Sequence, residues 1–176
     1  MMKTKIGVLQ FNAVFPEGDE HSVSCGITHE IARRLTTSGT TEGCAILLGA
    51  ELGEMGNIAG ATPDRGEFSG IVPTLGARYE SDYLLHGRAQ IADGILLSYR
   101  VYEVRSGRLL YSGSTTGLRS SVFQLLDYVA RDARQAIGLL PEEEEEDDYD
   151  PVFERINFEA FVEYCLGREA ERPREA

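Results

Sequence analysis

The sequence predicts an α/β fold, a two-layer sandwich in which a mixed five-stranded sheet is backed by two main helices, plus a carboxyl-terminal helix. Three observations predict it. Residues 82–116 read as an antiparallel three-strand meander, because apolar and polar side chains alternate between turn dipeptides. Residues 5–11 and 44–48 are short apolar runs of the kind that form interior strands. Residues 22–35 and 121–137 repeat apolar side chains at helical spacing.

The meander is expected to turn at Asp93-Gly94 and again at Ser106-Gly107. Asp-Gly is a strong hairpin signal, since a type I′ turn needs positive φ at both central residues. The three strands are therefore predicted at 83–91, 96–104 and 109–116. Along the first strand, the odd-numbered side chains should face one way and His86, Arg88 and Gln90 the other.

The first helix is predicted to begin near Ser22, whose hydroxyl can satisfy an exposed backbone amide. It should join two parallel strands by a right-handed crossover. The glycine-rich stretch 49–66 is predicted to be a long mobile loop, followed by a short helix over 67–75. The second main helix is expected to stop at Gly138. The buried stripe of the first helix consists of Val23, Ile27, Ile31 and Leu35.

Charge divides the chain of 176 residues, whose formal net charge is −12. Residues 142–150 hold eight of the acidic side chains, and such a run repels itself. We therefore predict an α/β domain over 1–140, an acidic linker over 141–152 and an amphipathic helix over 153–176. The acidic balance argues against nucleic acid or an anionic membrane surface as partner.

Cysteine usage and the amino terminus indicate a compartment. Cys25, Cys44 and Cys165 are an odd and sparse set, which favours free thiols in a reducing environment. The apolar run 6–9 is too short for the core of a signal peptide. We therefore expect a cytoplasmic protein.

Several motifs, in order, resemble those of TolB amino-terminal-like domains over most of residues 5–138. Gln10 departs from the pattern, since the first strand of that family usually has proline there. The resemblance implies an anticodon-binding-domain-like α/β sandwich that works in protein interaction and not in catalysis. The matching segments are Ile6-Gly7-Val8-Leu9-Gln10-Phe11, Gly26-Ile27-Thr28-His29-Glu30-Ile31, Leu75-Gly76-Ala77-Arg78-Tyr79, Leu84-Leu85-His86-Gly87, and Glu103 with Ser106-Gly107-Arg108-Leu109-Leu110.

The carboxyl-terminal helix has a resemblance of its own. Residues 161–168 resemble the helix that opens a tetratricopeptide repeat, an element that often follows such domains in bacterial proteins. Only one such helix is present, so the resemblance implies a partial repeat. This helix is apolar on two sides and should pack against a neighbour, either its own domain or a second copy. Its predicted interaction residues are Phe153, Phe158, Phe161, Val162, Tyr164 and Cys165.

One spacing suggests a metal. His21, Cys25 and His29 recur every four residues on one face of the first helix, and imidazole and thiolate can share a zinc ion. The alternative is a mixed polar helix face, and a usable site would also need a ligand from another segment. We predict no metal site and keep these three residues as the weak candidate.

Other chemistry has little support. Residues 49–60 lack the Gly-Lys-Ser/Thr ending of a phosphate loop, and no serine has a matched base for a hydrolase triad. We therefore predict neither an enzyme nor a cofactor. Four arginines could line one sheet face and bind an anion or an acidic peptide, or form the solvated side of the sheet. They are Arg78, Arg88, Arg100 and Arg119.

These observations predict a non-enzymatic interaction or assembly domain that binds a protein partner or forms a homo-oligomer, with self-association through the carboxyl-terminal helix as one route. The alternative is a ligand-binding or sensory domain. Its small-molecule or metal site would lie near the first strand–helix loop, residues 12–19, and the loop 49–66, because open α/β sheets bind ligands beyond the ends of their strands.

Overall fold

A computed structural model describes residues 2–36, 40–47, 65–139 and 158–170. A single turn of 3₁₀ helix, Arg119–Ser121, joins the last strand to the third helix. The strands are β1 (Thr4–Leu9), β2 (Asn12–Val14), β3 (Thr41–Ile46), β4 (Tyr83–Ile91), β5 (Gly94–Glu103) and β6 (Leu109–Leu118), and the helices are α1 (Glu20–Leu35), α2 (Arg65–Arg78), α3 (Val122–Ala136) and α4 (Phe158–Ala170).

The sheet has the order β3-β1-β4-β5-β6, with β2 also paired to β4. β1 runs parallel to both β3 and β4, and β4, β5 and β6 form the antiparallel meander. The predicted α/β class and the parallel pairing of the two strands joined by α1 are therefore confirmed. The sheet has six strands and not five, because residues 12–14, expected in a loop, pair in parallel with Arg88, Ala89 and Gln90 of β4.

Helices cover both faces of the sheet, whereas the sequence predicted helices on one face. α1, α3 and α4 share the main core with inward residues such as Leu85. α2 packs on the opposite face, where Val72 and Leu75 meet Leu84 and Tyr102. Because adjacent residues of a strand point to opposite faces, Leu84 and Leu85 belong to different cores. No helix in the described ranges is long and apolar enough to span a membrane.

The two meander turns differ from each other. Neither Asp93 nor Gly94 has positive φ, so the predicted type I′ turn is wrong although the reversal occurs there. The amide of Ala92 donates instead to the carbonyl of Gly94 at 2.9 Å. At the second turn, Gly107 has φ +70° and its amide donates to the Glu103 carbonyl at 2.9 Å. Glycine adopts that backbone without a Cβ penalty.

Helix ends follow local polar chemistry. α1 is capped by Asp19 and not by Ser22, because the Asp19 carboxylate accepts the Ser22 amide at 3.0 Å and the Ser22 hydroxyl at 2.9 Å. Those bonds lower the pKa of Asp19, the amide bond most of all. Gly138, with φ +78°, follows the end of α3 as predicted. α2 is longer than the predicted 67–75 and includes Pro73.

Two predicted segments fall outside the described residues. Most of the glycine-rich stretch 49–66 lies there, apart from Arg65 and Gly66 at the start of α2. The acidic linker 141–152 lies there entirely. Both remain predictions.

Gly43 sets the close approach of β3 to α1. A Cβ at this position would lie 2.1 Å from the carbonyl oxygen and 2.9 Å from the carbonyl carbon of Ala32. Both are backbone atoms, so the helix and the strand would have to separate. We expect Gly43→Ala to lower the free energy of unfolding by about 1–3 kcal/mol, as for other overpacked sites. Urea unfolding followed by circular dichroism measures it.

The matched control for that substitution is Gly70→Ala. Gly70 lies in α2, and a Cβ there would meet nothing within 4 Å. Alanine is favoured over glycine in a helix by about 1 kcal/mol, so the control should stabilise the protein or leave it unchanged. Equal urea midpoints for Gly43→Ala and the parent protein would show that β3 does not press on α1 as described.

Candidate interaction surfaces

The predicted interaction residues of α4 lie mostly in the core of their own domain. Phe158, Phe161 and Cys165 are 5%, 0% and 1% exposed. Val162 is half-buried, and Tyr164 keeps 40% of its surface exposed. The sequence left two neighbours possible for α4, its own domain or a second copy, and in the structure α4 packs on its own domain. Contact of these buried side chains with a partner would require release of α4, and that role stays a prediction. Phe153 lies outside the described residues.

Aromatic side chains anchor α4 at its amino-terminal end. Phe158 meets Phe15 edge-on, with ring centroids 5.5 Å apart, and Phe161 meets Phe123 in the same geometry at 5.5 Å. The guanidinium of Arg119 lies 5.7 Å from the ring centre of Phe15 and 5.2 Å from that of Phe158. Edge-to-face ring pairs and cation–π contacts each stabilise the attachment beyond what burial of apolar surface contributes.

A glycine on α1 brings the two helices into direct contact. A Cβ on Gly26 would lie 2.1 Å from the Sγ and 3.0 Å from the Cβ of Cys165. The missing side chain on α1 is therefore the space that Cys165 of α4 occupies. This explains why a helix interior carries a residue that costs helix stability.

Polar contacts complete the attachment of α4. The Tyr164 hydroxyl donates to Glu30 Oε1 at 3.2 Å, and the Glu30 side chain is only 5% exposed. Arg33 and Arg34 pair with the same carboxylate, and Arg34 also pairs with Asp127 of α3. Hydrogen bonding to Glu30 raises the pKa of Arg33. A buried carboxylate needs such partners, since charge is costly to bury alone.

The weak metal candidate is only partly assembled. The Sγ of Cys25 lies 3.8 Å from Nε2 of His21, one helical turn away. Cys25 is buried, whereas His21 is exposed and His29 is partly exposed. Within the described ranges, no group of three or more histidine, cysteine or acidic side chains is arranged to hold a metal ion. Asp19, an acidic residue two positions before His21, is used as the α1 cap.

The start of the first strand–helix loop, the alternative ligand site, is hydrogen-bonded to α1. The amide of Phe11 donates to the Thr28 hydroxyl at 2.9 Å, and the amide of Ala13 donates to the Ser24 hydroxyl at 3.0 Å. These bonds attach β2 to α1. The other half of that predicted site, the loop 49–66, lies mostly outside the described residues.

A hydroxyl–carboxylate cluster that the sequence analysis missed joins α3 to the meander. Tyr99 and Tyr111 both donate to Oδ2 of Asp132, Tyr111 at 3.3 Å. Burial, and then Asp132, raises the pKa of Tyr99, and the same causes raise the pKa of Tyr111. Both phenols therefore stay protonated as donors, which is opposite to the activation of a nucleophile. Tyr99 pairs with Gly113 and Tyr111 pairs with Val101, so the tyrosines are diagonal neighbours, and the register that brings them together has no local sequence signal.

Two of the four predicted arginines lie on the sheet face on which α2 packs, farther along β4 and β5 than Leu84 and Tyr102. Arg88 pairs with Ser98, and Arg100 follows two residues later on β5, so the arginines are diagonal neighbours. Within the part of the chain that the structure describes, neither forms an ion pair. Arg78 instead stacks on Tyr79, 5.8 Å from the ring centre, and Arg119 lies against the aromatic rings beneath α4.

This region is named the open sheet face. It also carries exposed apolar side chains near one end, Leu96 at 37% and Leu118 at 69% exposure. Its outward side chains are Arg88, Gln90, Leu96, Ser98, Arg100, Ser112, Ser114, Thr116 and Leu118. Arginines beside exposed leucines form a surface suited to protein contact.

The fold defined by this sheet and its helices also occurs in known structures, although no family model and no curated protein matches the sequence. TolB from Acinetobacter baumannii superimposes with a TM-score of 0.52 and 17% identity, over 81% of this chain and 30% of TolB. The chain thus spans under a third of the length of TolB, and the likeness is one of fold. The predicted TolB-like fold is confirmed at that level.

Two further structures are similar at a lower level. A hypothetical protein from Chlamydia trachomatis matches with a TM-score of 0.44 and 14% identity, over 95% of this chain and 93% of that protein. A lipoprotein from Neisseria meningitidis matches with a TM-score of 0.42 and 18% identity, over 65% of this chain and 80% of the lipoprotein. The tetratricopeptide resemblance of α4 gains no support, since α4 packs on α1 and beside the 3₁₀ turn of its own domain.

Proposed function

We propose that this protein is a non-catalytic protein-interaction domain that binds an acidic partner through the open sheet face. One observation carries the proposal: Arg88 and Arg100 are diagonal neighbours without an ion-pair partner among the described residues, on a face that also exposes Leu96 and Leu118. Exposed apolar area next to unpaired guanidinium groups suits a partner that brings carboxylates and a few apolar side chains.

The attraction of an acidic partner is local. The chain as a whole carries a net charge of −12, which opposes an acidic partner at long range, so Arg88 and Arg100 would have to bind its carboxylates at short range. Arginine is common at protein interfaces because its planar guanidinium can bind a carboxylate through two hydrogen bonds. The cytoplasmic location stays a prediction.

The test places a photo-reactive phenylalanine analogue at Ser98, which lies opposite Arg88 on the open sheet face. In cells of the source organism, we expect a specific cross-link to one acidic protein, identified by mass spectrometry. The matched control carries the same analogue at Glu163, an exposed position on α4. The cross-link should be absent from the control.

Charge reversal then tests the chemistry of binding. Arg88→Glu combined with Arg100→Glu should abolish the Ser98 cross-link, whereas Arg131→Glu on the exposed side of α3 should leave it intact. The purified complex should also weaken as salt is added, because exposed charge pairs are screened. Equal cross-linking from Ser98 and Glu163, or a cross-link insensitive to the double reversal, would contradict the proposal.

A further inference from the structure

β6 is an edge strand with little of the usual protection of an edge, apart from a β-bulge at its start, where Val101 pairs with Tyr111 but Tyr102 pairs with Leu109. It spans ten residues, Leu109–Leu118, at one end of the strand order, and no other described strand pairs with its outer side. An exposed edge presents unpaired backbone amides and carbonyls, and proteins normally guard it with charges, proline or short length. β6 contains no charged residue and no proline. The opposite edge strand, β3, is shorter and carries Glu42.

Small side chains make this edge accessible to a second backbone. Gly113 and Gly117 alternate with Ser112, Ser114 and Thr116 along the strand. An antiparallel copy of the same strand could therefore approach to normal strand spacing without displacing a bulky group. An antiparallel pair of identical strands is also self-complementary about a two-fold axis, as closed dimers require.

Helix α3 extends this surface on the other side of the sheet. Leu125 packs over Gly117, and Asp132 reaches Tyr111, so this side of α3 lies above β6. Tyr128 precedes Asp132 by four residues, so it lies one helical turn away on the same side of α3. Its side chain is 38% exposed. Gln124 donates to its hydroxyl at 3.0 Å. An exposed aromatic ring thus stands beside the edge strand.

The two ends of β6 carry opposite local charge. Arg105 and Arg108 are exposed at the turn before the strand, with Glu103 as the one acidic neighbour in that turn. Asp93 lies in the other turn, next to the residue that pairs with Leu118. The nearby pair of Glu17 and Arg119 is internally balanced at 3.4 Å. In an antiparallel pair, the positively charged end of β6 in each copy lies beside the negatively charged end of β6 in the other copy.

From these features we propose that two copies of this chain pair edge to edge, with β6 antiparallel to β6 of the second copy and the α3 helices side by side. The dimer would form one continuous sheet of two domains. This proposal does not depend on a partner at the open sheet face, and the failure of either leaves the other standing. It also differs from self-association through α4, where Phe158, Phe161 and Cys165 are buried in their own domain.

Sedimentation of the full chain over a range of micromolar concentrations is the first test. We expect a species of twice the 19.4 kDa chain mass. Ser114→Lys puts like charges near the two-fold axis and should weaken the dimer by about tenfold or more in Kd. The matched control is Ser98→Lys, since Ser98 pairs with Ser114 on the same sheet face but lies one strand inward. The control should remain dimeric.

A charge swap tests the orientation of the two strands. Arg108→Glu and Asp93→Arg should each weaken the dimer, and the double variant should restore it, because each copy then presents the swapped charges to the other. A chain that stays monomeric at every concentration overturns the proposal. The proposal is also overturned if Ser114→Lys leaves the dimer intact, or if Ser114→Lys and Ser98→Lys weaken it equally. It is overturned as well if the double variant of Arg108→Glu and Asp93→Arg dimerises more weakly than either single variant.

Disulfide trapping decides the matter if Ser114→Lys does not fold. Single cysteines are placed in turn at Ser112, Ser114 and Thr116 in a Cys44→Ser background, which removes the exposed native thiol. Oxidation should link two chains through the position nearest the two-fold axis much faster than through the same cysteine at Ser98. Equal rates at all four positions overturn the proposal.

Discussion

Replacement of Phe161 by alanine should lower the free energy of unfolding by about 3–5 kcal/mol, the cost typical of removing a fully buried aromatic ring. Phe161 is 0% exposed and packs edge-on against Phe123, between α4 and α3. The loss should arise from detachment of α4, because the ring is the most deeply buried contact of that helix. Thermal and urea unfolding of the full chain measure the effect.

Leu166→Ala is the matched control, since Leu166 lies on the same helix but is 38% exposed. Its effect should stay within about 0.5 kcal/mol, as for most surface positions. Deletion of residues 151–176 should go further and uncover Phe15, Phe123 and the Gly26 surface. A dye that fluoresces on apolar surfaces should then bind. Parent-like stability of Phe161→Ala would show that α4 does not belong to the core.

The second large effect concerns Gly26→Ala, which should destabilise the full chain but stabilise the chain that lacks α4. In the full chain, Gly26→Ala places a Cβ 2.1 Å from the Sγ of Cys165 and should destabilise the protein by about 1–3 kcal/mol. In the chain without residues 151–176, the clashing atoms are gone. The three atoms nearest to a Cβ on Gly26 all belong to Cys165, and the third of them is 3.6 Å away. Atoms of other side chains and elements are therefore at ordinary contact distance or farther.

In the shortened chain the same substitution should therefore stabilise α1 by about 1 kcal/mol, because alanine is favoured over glycine inside a helix. Cys165→Ala in the full chain provides a second arm, since it removes the Sγ and should relieve part of the clash. The double-mutant cycle of Gly26→Ala and Cys165→Ala measures that coupling. Destabilisation of equal size with and without α4 would mean that Gly26 matters to α1 alone.

Local patterns predicted the strands and the main helices because each signal lies within a few residues. Alternation along residues 83–91 placed the two faces of β4 correctly, and Gly138 marked the end of α3. β2 was missed because a three-residue strand has too short a pattern to stand out, and its pairing with β4 depends on residues far along the chain. The type I′ turn predicted at Asp93-Gly94 was wrong, and Gly94 is already part of β5, where it pairs with Leu118.

The surfaces were harder to predict than the elements. Four arginines were expected on one face, but strand register unites only Arg88 and Arg100, and nothing in the local sequence gives that register. The apolar character of α4 was clear, whereas its docking partner was not, because Phe158 and Phe161 could be buried by any suitable surface. The contact of Gly26 with Cys165 spans most of the chain and leaves no local signature.

The position of α4 has a consequence for biosynthesis. Its contacts reach back to Phe15, Gly26 and Glu30, near the start of the chain. A nascent polypeptide therefore exposes a hydrophobic patch on α1 and α3 until residues 158–165 leave the ribosome. During that interval the patch is available to chaperones or to another nascent molecule.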